Sequence, residues 1–293
     1  MLADAWIASR SATAFRLEIA GGSSDLPAVF FTGETMTIGA WKQAGGTDAV
    51  WILEEVLGLP RSRVFLESNR ILTEDELSAL WAAKTRRDAG EPVQYIFRRA
   101  PFMGYEFYVD ERVLIPRMDT EVLCEAASQY IKRRKTVAVL DLCAGSGAIG
   151  LSLKHLHPDI RLTLSDISED ARAVQMINAQ GLDVEILTGD LFSPVSDRAF
   201  DLIVCNPPYV CAGDILTLSP EVRKEPRLAL DGGPDGLDFY RAIARAFRAH
   251  LRPGGRIYLE VGYDQASDVA HLLGGADVIL DLNGARRVVW TEV

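Results

Sequence analysis

The chain has 293 residues, of which 48% are hydrophobic and 25% charged, a composition typical of a soluble folded protein rather than a disordered chain. Its formal net charge of -10 disfavours non-specific binding to nucleic acid phosphates. No segment approaches the roughly 18 apolar residues of a membrane span, so we expect no membrane partner.

The four cysteines bear on the cellular compartment. Cys124, Cys143, Cys205 and Cys211 form no C-x-x-C pair, the spacing that commonly marks a metal or redox site. Reduced thiols of this kind are usual inside the cell. The sequence therefore predicts a cytoplasmic protein without a metal site.

Residues 1–36 show no sustained helical or strand period and include the run Gly21-Gly22-Ser23-Ser24. They lack the pattern of a signal peptide, because Asp4 interrupts the start and no cationic segment precedes an apolar one. We expect a loosely ordered extension, with Met36 as the functional initiator. N-terminal mass spectrometry of natively expressed protein tests this, since a population that begins only at Met1 would contradict it.

Residues 37–89 have the pattern of a small helical domain. Apolar residues recur at helical spacing through the run 49–57, and Gly58 marks the end of that helix. Thr73 and Glu76 have the spacing of a capping box, which starts a further helix. A separate helical module beside a catalytic domain commonly carries partner recognition, and we expect that role here.

Residues 90–117 are predicted to link this module to the rest of the chain. Two runs with strand character, 102–109 and 112–115, flank Asp110-Glu111. This arrangement predicts a β-hairpin between the two domains.

Residues 118–293 form the second predicted domain, in which strands and helices alternate after a helix that begins near Asp119 or Thr120. Such alternation indicates a mostly parallel sheet covered on both faces. The predicted strands are 137–142, 160–165, 184–187, 200–205, 256–261, 277–282 and 286–290. Asn283-Gly284 favours a two-residue type I′ turn, so the last strand should run antiparallel to its neighbour. This Rossmann-like α/β pattern resembles the seven-stranded fold of class I S-adenosylmethionine-dependent methyltransferases.

The turn after the first strand of that sheet contains Asp141, Gly145 and Gly147. With Gly150 it satisfies G-x-G-x-x-G, and Asp166 follows at the end of the next strand, which would also suit a nicotinamide dehydrogenase. Asp141, four residues before Gly145, favours a methyltransferase instead, as does the motif after the fourth strand. A P-loop is excluded because no Gly-Lys-Ser/Thr follows.

That motif is Asn206-Pro207-Pro208-Tyr209, directly after the predicted strand 200–205. A carboxamide or exocyclic base nitrogen is a poor nucleophile, because its lone pair is delocalised. Acceptors for its N–H hydrogens favour the charge that develops as the nitrogen pyramidalises. The Asn206 oxygen is one acceptor, and a proline carbonyl is a second because the strand ladder stops there. Tyr209 would wall the planar group. A strand that runs into a proline turn would show the same residues without this chemistry.

Segments that flank the two motifs indicate which substrate nitrogen receives the methyl group. Together with the two motifs, they closely resemble the bacterial release factor glutamine methyltransferases, over about residues 37–293. These segments are Gly-Glu-Pro-Val-Gln-Tyr-Ile at 90–96, Val-Leu-Ile-Pro-Arg-Met-Asp-Thr-Glu at 113–121, Glu-Val-Arg-Lys-Glu-Pro at 221–226, Gly-Gly-Pro-Asp-Gly-Leu at 232–237 and Leu-Glu-Val-Gly at 259–262.

The resemblance implies transfer of a methyl group from S-adenosyl-L-methionine to the side-chain amide nitrogen (N5) of a glutamine. That glutamine lies in the Gly-Gly-Gln motif of class I peptide chain release factors, which the helical domain would help to grip. We expect a monomer with no direct nucleic acid contact. The implied catalytic residues are Asn206, Pro207, Pro208 and Tyr209. The implied cofactor-binding residues are Asp141, Cys143, Ala144, Gly145, Ser146 and Gly147 around the methionine part, Asp166 at the ribose, Asp190 and Leu191 at the adenine, and Asn206.

Two positions depart from the family pattern. Many members have an aromatic residue at the position of Leu191, and usually one at the position of Lys224. Leu191 offers less stacking on adenine, so cofactor affinity is the property affected. The long segment Val210–Leu237 is expected to be a lid that orders over the substrate glutamine. Equal protease sensitivity of this segment with and without release factor would contradict that expectation.

Three alternatives remain at the level of sequence. One is the related enzyme class that methylates glutamine in a large-subunit ribosomal protein. The segment 116–121 and the helical module disfavour this alternative. Another is a DNA adenine methyltransferase, which would need a basic channel and base flipping. The third is a binding protein that has lost catalysis, disfavoured because both the cofactor turn and the acceptor motif are complete.

Overall fold

The computed structural model describes residues 35–134 and 137–293. These form two compact units, one that ends at Phe97 and one that begins at Arg98. The extension predicted for residues 1–36 lies almost wholly outside the described residues. Within the described ranges, no helix is both long and apolar enough to cross a membrane.

The first unit is helical, as predicted. Gly58 ends the second helix with a φ of 62°. Thr73 and Glu76 form the predicted capping box, in which each side chain accepts the other's backbone N–H. The helices in its described part are α1 (Ile38–Ala44), α2 (Ala49–Leu57), α3 (Arg61–Leu66), α4 (Glu74–Asp88) and α5 (Val93–Phe97). They pack around a core that includes the fully buried Trp41 and Leu80.

The second unit begins with a hairpin whose strands differ from the predicted ones. β1 (Ala100–Phe102) and β2 (Tyr105–Phe107) pair antiparallel. Met103 and Gly104 between them have φ values of 52° and 78°, and positive φ at both central residues is required by a type I′ turn.

The strand predicted over residues 112–115 does not form, so that prediction was wrong. The carboxylate of Asp110 accepts the Arg112 backbone N–H at 3.2 Å and the Arg112 guanidinium at 2.6 and 2.8 Å. A local side-chain bond of this kind turns the backbone and competes with strand pairing. The segment instead leads as irregular backbone into a short 3₁₀ helix, Met118–Thr120.

A seven-stranded sheet forms the centre of the second unit. Its strands are β3 (Ala138–Leu142), β4 (Arg161–Asp166), β5 (Val184–Thr188), β6 (Phe200–Cys205), β7 (Leu251–Glu260), β8 (Asp277–Leu280) and β9 (Arg286–Glu292). Their order is β5-β4-β3-β6-β7-β9-β8. Neighbours from β5 to β7 pair in parallel, and β9 runs antiparallel to both β7 and β8. The predicted sheet with its reversed last strand is confirmed.

Two apolar cores cover the faces of this sheet, because side chains alternate along each strand. Val139 of β3 belongs to one core, and Leu140 and Leu142 to the other. The helices of this unit are α6 (Glu121–Ile131), α7 (Ala148–Leu156), α8 (Glu169–Asn178), α9 (Asp238–Ala246) and α10 (Ala266–Leu272).

The hairpin between β8 and β9 is present, but its turn is not the predicted type I′. A type I′ turn needs a positive φ at both residues. Gly284 has a φ of 81°, but the φ of Asn283 is not positive. The Gly284 N–H donates to the Asp281 carbonyl at 3.0 Å, and the Asp281 N–H donates to the Ala285 carbonyl at 2.8 Å. This is a three-residue loop with glycine in the left-handed position. The Asp281 side chain selects it by accepting the N–H groups of Asn283 and Ala285.

The segment Val210–Leu237 is more ordered than a structureless loop. It contains 3₁₀ helices at Ile215–Thr217, Val222–Lys224 and Arg227–Ala229. An isolated parallel β-bridge pairs Val210 with Asp231, so the start of the segment lies beside its later part. Whether it acts as a lid is not decided by this order, and that role stays a prediction.

Candidate functional site

A cavity, partly open to solvent, lies at the carboxyl ends of β3, β4, β5 and β6. The strand order reverses here, since β4 and β6 flank β3 on opposite sides, and open α/β sheets bind ligands at such a switch point. The predicted site residues that line the cavity are Cys143, Ala144, Gly145, Ser146, Asp166, Asp190, Leu191, Asn206 and Pro208. The predicted residues Asp141, Gly147, Pro207 and Tyr209 do not line it.

The glycine turn forms one wall of the cavity. Cys143, Gly145 and Gly147 have positive φ values of 56°, 54° and 80°. Only glycine adopts such values without strain, so Cys143 stores some strain at this point. A Cβ at Gly147 would lie 3.0 Å from the Leu151 side chain and 3.1 Å from that of Leu164. Gly147 therefore lets α7 approach the sheet, a packing role behind the cavity.

Asp141 also lies behind the cavity wall. It is fully buried, and its Oδ2 accepts the Gly150 N–H at 2.7 Å. Its Oδ1 has no hydrogen-bond partner among the described residues. Burial raises the pKa of Asp141 to about 7, the Gly150 N–H opposes that rise, and the nearby Asp166 adds to it. Because Asp141 does not line the cavity, this open oxygen lies behind the glycine turn and not on the cavity surface.

We expect the variant Asp141→Asn to be more stable, relative to wild type, at pH 8 than at pH 5. The folded-state pKa of Asp141 lies above the value of about 3.9 in an unfolded chain. The folded protein therefore holds the extra proton between these values, and its free energy of unfolding falls as the pH rises towards 7. The variant lacks this titration. Urea unfolding of both proteins without cofactor measures the difference, and an equal difference at both pH values would contradict the prediction.

Asp166 ends β4 and contributes a carboxylate to the cavity. Its Oδ2 accepts the Gly145 N–H at 2.8 Å, and its Oδ1 accepts the Ser168 N–H at 3.0 Å. Burial raises its pKa, and these N–H groups oppose that rise. Asp166 thus fixes the glycine turn, and its remaining lone pairs suit the hydroxyl donors of a ribose.

Two amide side chains of α8, which the sequence analysis missed, hold the glycine turn from outside. Gln175 donates to the Gly145 carbonyl at 3.0 Å, and Asn178 donates to the Ser146 carbonyl at 2.9 Å. Asn178 also pairs with the backbone N–H and carbonyl of Tyr108, at 2.8 and 3.0 Å. Their spacing of three residues puts both amides on one helix face. This spacing is visible in the sequence, but it does not indicate that the glycine turn is their hydrogen-bond partner.

Asp190 and Leu191 follow β5 at the far end of the cavity. Leu191 has a positive φ of 44°, rare for a residue with a side chain. The strained conformation places an aliphatic side chain on the cavity wall where a flat ring could pack. This location agrees with the predicted adenine contact, which stays a prediction.

Asn206 and Pro208 form the wall after β6. The Asn206 Nδ2 donates to the Thr120 hydroxyl at 3.4 Å. Among the described residues, no backbone hydrogen bond reaches the carbonyl oxygens of Pro207 and Pro208, as expected where prolines end a ladder. Tyr209 lies outside the wall, with its hydroxyl 3.4 Å from Glu260 Oε1 and its backbone carbonyl bound by Gln265 at 2.9 Å.

The segment Val210–Leu237 supplies Pro226, Leu228 and Ala229 to the cavity. Its attachment point is Glu225, whose side chain is 1% exposed and forms an ion pair with Arg117. Glu225 also accepts the Ile115 N–H at 3.0 Å. Two of the segments that carry the family resemblance, 113–121 and 221–226, are therefore joined by this carboxylate. The sequence analysis did not predict this contact.

No group of three or more His, Cys, Asp or Glu side chains in the described parts of the chain could hold a metal ion. The cysteines Cys124, Cys143, Cys205 and Cys211 are free thiols. The ligand groups of the cavity are instead carboxylates, an amide and backbone atoms, which suit an organic cofactor.

Comparison with known proteins places this site in a family. The PrmC N-terminal domain model matches residues 43–97, and the methyltransferase small domain model matches residues 118–219. A release factor glutamine methyltransferase from Clostridium acetobutylicum is 42% identical over 224 residues, which cover 73% of this chain and 79% of that protein. The chain belongs to the release factor glutamine methyltransferase family. Another member, from Geobacter sulfurreducens, is 42% identical over 247 residues, or 82% of this chain and 86% of that protein.

The family assignment confirms the predicted class I S-adenosylmethionine-dependent methyltransferase fold and the enzyme class. It favours a methyltransferase over the nicotinamide dehydrogenase that the glycine turn also allowed. Among solved structures, a methyltransferase from Pyrococcus furiosus has a TM-score of 0.47 and 15% identity, covering 64% of this chain and 89% of that chain. That likeness is too distant to add to the assignment.

Proposed function

We propose that this enzyme transfers a methyl group from S-adenosylmethionine to the side-chain amide nitrogen of the glutamine in the Gly-Gly-Gln motif of class I release factors. The observation that carries the proposal is the cavity in which the glycine turn and Asn206 lie on walls that face one space. The membership of the family in which the relatives are named for this reaction supports it.

The cavity residues fit the cofactor. The Asp166 carboxylate suits the ribose hydroxyls, and Asp141 supports the glycine turn from behind by accepting the Gly150 N–H. Leu191 supplies an apolar surface for the adenine, with Asp190 beside it. S-adenosylmethionine supplies an electrophilic methyl group when it is bound. The glycine turn, fixed by Asp166 and the α8 amides, then sets the wall against which it lies.

The Asn-Pro-Pro-Tyr motif would bind and orient the glutamine amide. Asn206 Oδ1 accepts one N–H hydrogen, and a proline carbonyl accepts the other, since neither carbonyl is used by the backbone of the described chain. Two acceptors hold the amide plane and favour the positive charge that develops on nitrogen as its lone pair leaves conjugation. The methylated nitrogen is strongly acidic, so it loses its proton after the transfer and no prior deprotonation is needed.

The oligomeric state, the lack of nucleic acid contact and the cellular location belong to the same proposal. Catalysis by a monomer is part of the proposal. The net charge of -10 disfavours direct nucleic acid contact. The free thiols suit a cytoplasmic location, where release factors act.

The test is incubation with labelled S-adenosylmethionine and an unmodified class I release factor, followed by peptide mass spectrometry. A release factor with Gln→Ala in the tripeptide is the control. Label on that glutamine, absent from the control, is the expected result. Transfer to a ribosomal protein or to DNA, with none to the release factor, would overturn the substrate while leaving the fold in place.

A further inference from the structure

Arg112 lies on the cavity wall, and the proposed reaction gives it no role. Its carboxylate partner, Asp110, is 6% exposed and does not line the cavity. The Arg112 side chain therefore borders the ligand space while its counter-ion lies behind it. In a protein with a net charge of -10, a cation placed in this way is suited to an anionic group of a ligand.

The ion pair uses one edge of the guanidinium and leaves another edge free. Arg112 Nε donates to Asp110 Oδ1 at 2.8 Å, and Nη2 donates to Oδ2 at 2.6 Å. Among the described residues, no hydrogen bond uses the hydrogens of Nη1 or the second hydrogen of Nη2. A guanidinium carries five N–H donors in one plane, so Nη1 and Nη2 form a second fork that fits a carboxylate.

Asp110 keeps the guanidinium in this orientation. Burial by itself would raise the pKa of Asp110, but hydrogen bonds from Arg112 and Tyr108 outweigh burial and lower it, so the carboxyl is ionised. The Tyr108 hydroxyl donates to Asp110 Oδ2 at 2.9 Å. Because the arginine is already fixed, it loses little side-chain freedom when it binds an anion.

The backbone beside this pair is anchored to the glycine turn. Asn178 of α8 accepts the Tyr108 N–H at 2.8 Å and donates to the Tyr108 carbonyl at 3.0 Å. The same amide donates to the Ser146 carbonyl at 2.9 Å. Tyr108 thus ties Asp110 and Arg112 to the turn at which the proposed function puts the methionine part of the cofactor.

Arg117 also lines the cavity, but it is anchored elsewhere. Its partner Glu225 belongs to the segment Val210–Leu237, which supplies Leu228 to the cavity wall. Arg117 is therefore attached to the segment expected to cover the substrate, whereas Arg112 is attached to the turn expected to hold the cofactor. These attachments favour Arg112 as the cation for the cofactor.

We propose that Arg112 binds the α-carboxylate of S-adenosylmethionine through its Nη1 and Nη2 hydrogens and so fixes the methionine end of the cofactor against the glycine turn. The α-carboxylate is the anionic group of this cofactor. Asp166 and Asp190, which also line the cavity, would repel it, so the charges of the wall orient the cofactor. This inference rests on the proposed function and adds a residue to it.

The first test compares two ligands by calorimetry without release factor, so that no methyl transfer occurs. They are S-adenosylmethionine and its decarboxylated form, which lacks the α-carboxylate but keeps the sulfonium and ammonium groups. Loss of hydrogen bonds to a charged group corresponds to about 10- to 100-fold in Kd. We expect the wild-type enzyme to bind the decarboxylated form more weakly by this factor. Equal Kd values for the two ligands would overturn the proposal without any variant.

The second test uses Arg112→Gln, which removes the fork. The Kd for S-adenosylmethionine should rise about 10- to 100-fold, whereas the Kd for the decarboxylated form should change less than about threefold. Arg112→Lys keeps the charge without the fork and should lie between the glutamine variant and wild type. Equal losses for both ligands would overturn the proposal, because an arginine with a merely structural role would weaken both alike.

A further variant covers the case in which Arg112→Gln does not fold because the buried Asp110 carboxylate is left unpaired. The double variant Asp110→Asn with Arg112→Gln removes that charge, and we expect the same difference between the two ligands in it. Asp110→Asn alone is the reference, since Arg112 stays charged there.

Arg99→Gln is the matched control. Arg99 precedes β1, forms an exposed ion pair with Glu106 and does not line the cavity. This change removes the same charge, so Kd for both ligands should stay within about threefold of wild type. A rise in Kd as large as that in Arg112→Gln would overturn the proposal. Transfer of label to another substrate would instead overturn the proposed function and leave these Kd values unchanged.

Discussion

The variant Asn206→Ala is expected to lower the single-turnover rate of methyl transfer by about 10²- to 10³-fold, the usual cost of removing one group aimed at developing charge. Asn206 Oδ1 is the only side-chain acceptor proposed for the glutamine amide. The side chain contributes little to stability, since its one hydrogen bond to the described residues is the long contact with Thr120. Rapid-quench measurement at saturating cofactor tests the rate, and thermal unfolding should show a nearly unchanged Tm.

Two companion variants sharpen this prediction. Asn206→Asp keeps an acceptor but loses the Nδ2 donor to Thr120, so we expect a smaller loss than in Asn206→Ala. Asn283→Ala, in the exposed turn before β9, should retain the wild-type rate. A wild-type rate in Asn206→Ala would contradict the role. A large rise in the cofactor Kd with an unchanged rate at saturation would assign Asn206 to cofactor binding instead.

The second large effect is expected from Glu225→Ala. This change leaves the Ile115 N–H without its acceptor and the Arg117 guanidinium without its carboxylate. Because Arg117 is 36% exposed and can be solvated, the main cost is the unsatisfied N–H of the buried Ile115, about 1–3 kcal/mol. The segment Val210–Leu237 loses its attachment beside Pro226, so kcat/KM for the release factor should fall by at least about tenfold, as for a misplaced lid. Urea unfolding and steady-state kinetics measure the two effects.

The matched comparison uses two further variants. Glu225→Gln keeps an acceptor for Ile115 and should lie between alanine and wild type. Asp235→Ala breaks an exposed ion pair with Arg241 in the same segment and should change neither property, because exposed pairs contribute little. Limited proteolysis should cut the segment faster in Glu225→Ala. Equal cleavage and equal kcat/KM in that variant and in wild type would contradict the attachment role.

Local patterns in the sequence were sufficient for most of the fold. The capping box at Thr73 depends only on residues three apart, and the alternation of strands and helices from β3 onward follows from hydrophobic periodicity. The errors occurred at turns. Asp110 and Asp281 each bind nearby backbone N–H groups, and these bonds selected turns that the propensities of the flanking residues did not indicate.

The site, like the fold, has a part that local sequence motifs predict and a part that they do not. The glycine turn and Asn206-Pro207-Pro208-Tyr209 are contiguous motifs at strand ends, so their meeting in one cavity follows once the parallel sheet is accepted. Asp141, Gly147, Pro207 and Tyr209 of these motifs do not line the cavity, although their chain neighbours do. A linear motif identifies neighbours in the chain, whereas the pleat and the turn decide which of them face the ligand.

The sequence by itself determined the two-part organisation, the parallel sheet with its reversed last strand, and the family to which the chain is similar. Only the tertiary structure joined Glu225 to Ile115 and Arg117, Asn206 to Thr120, and Tyr209 to Glu260. The physical reason is distance along the chain. Periodicity and capping are short-range effects, but these bonds link residues that only the packed sheet brings together, and a buried polar group is satisfied by whichever partner the fold places beside it.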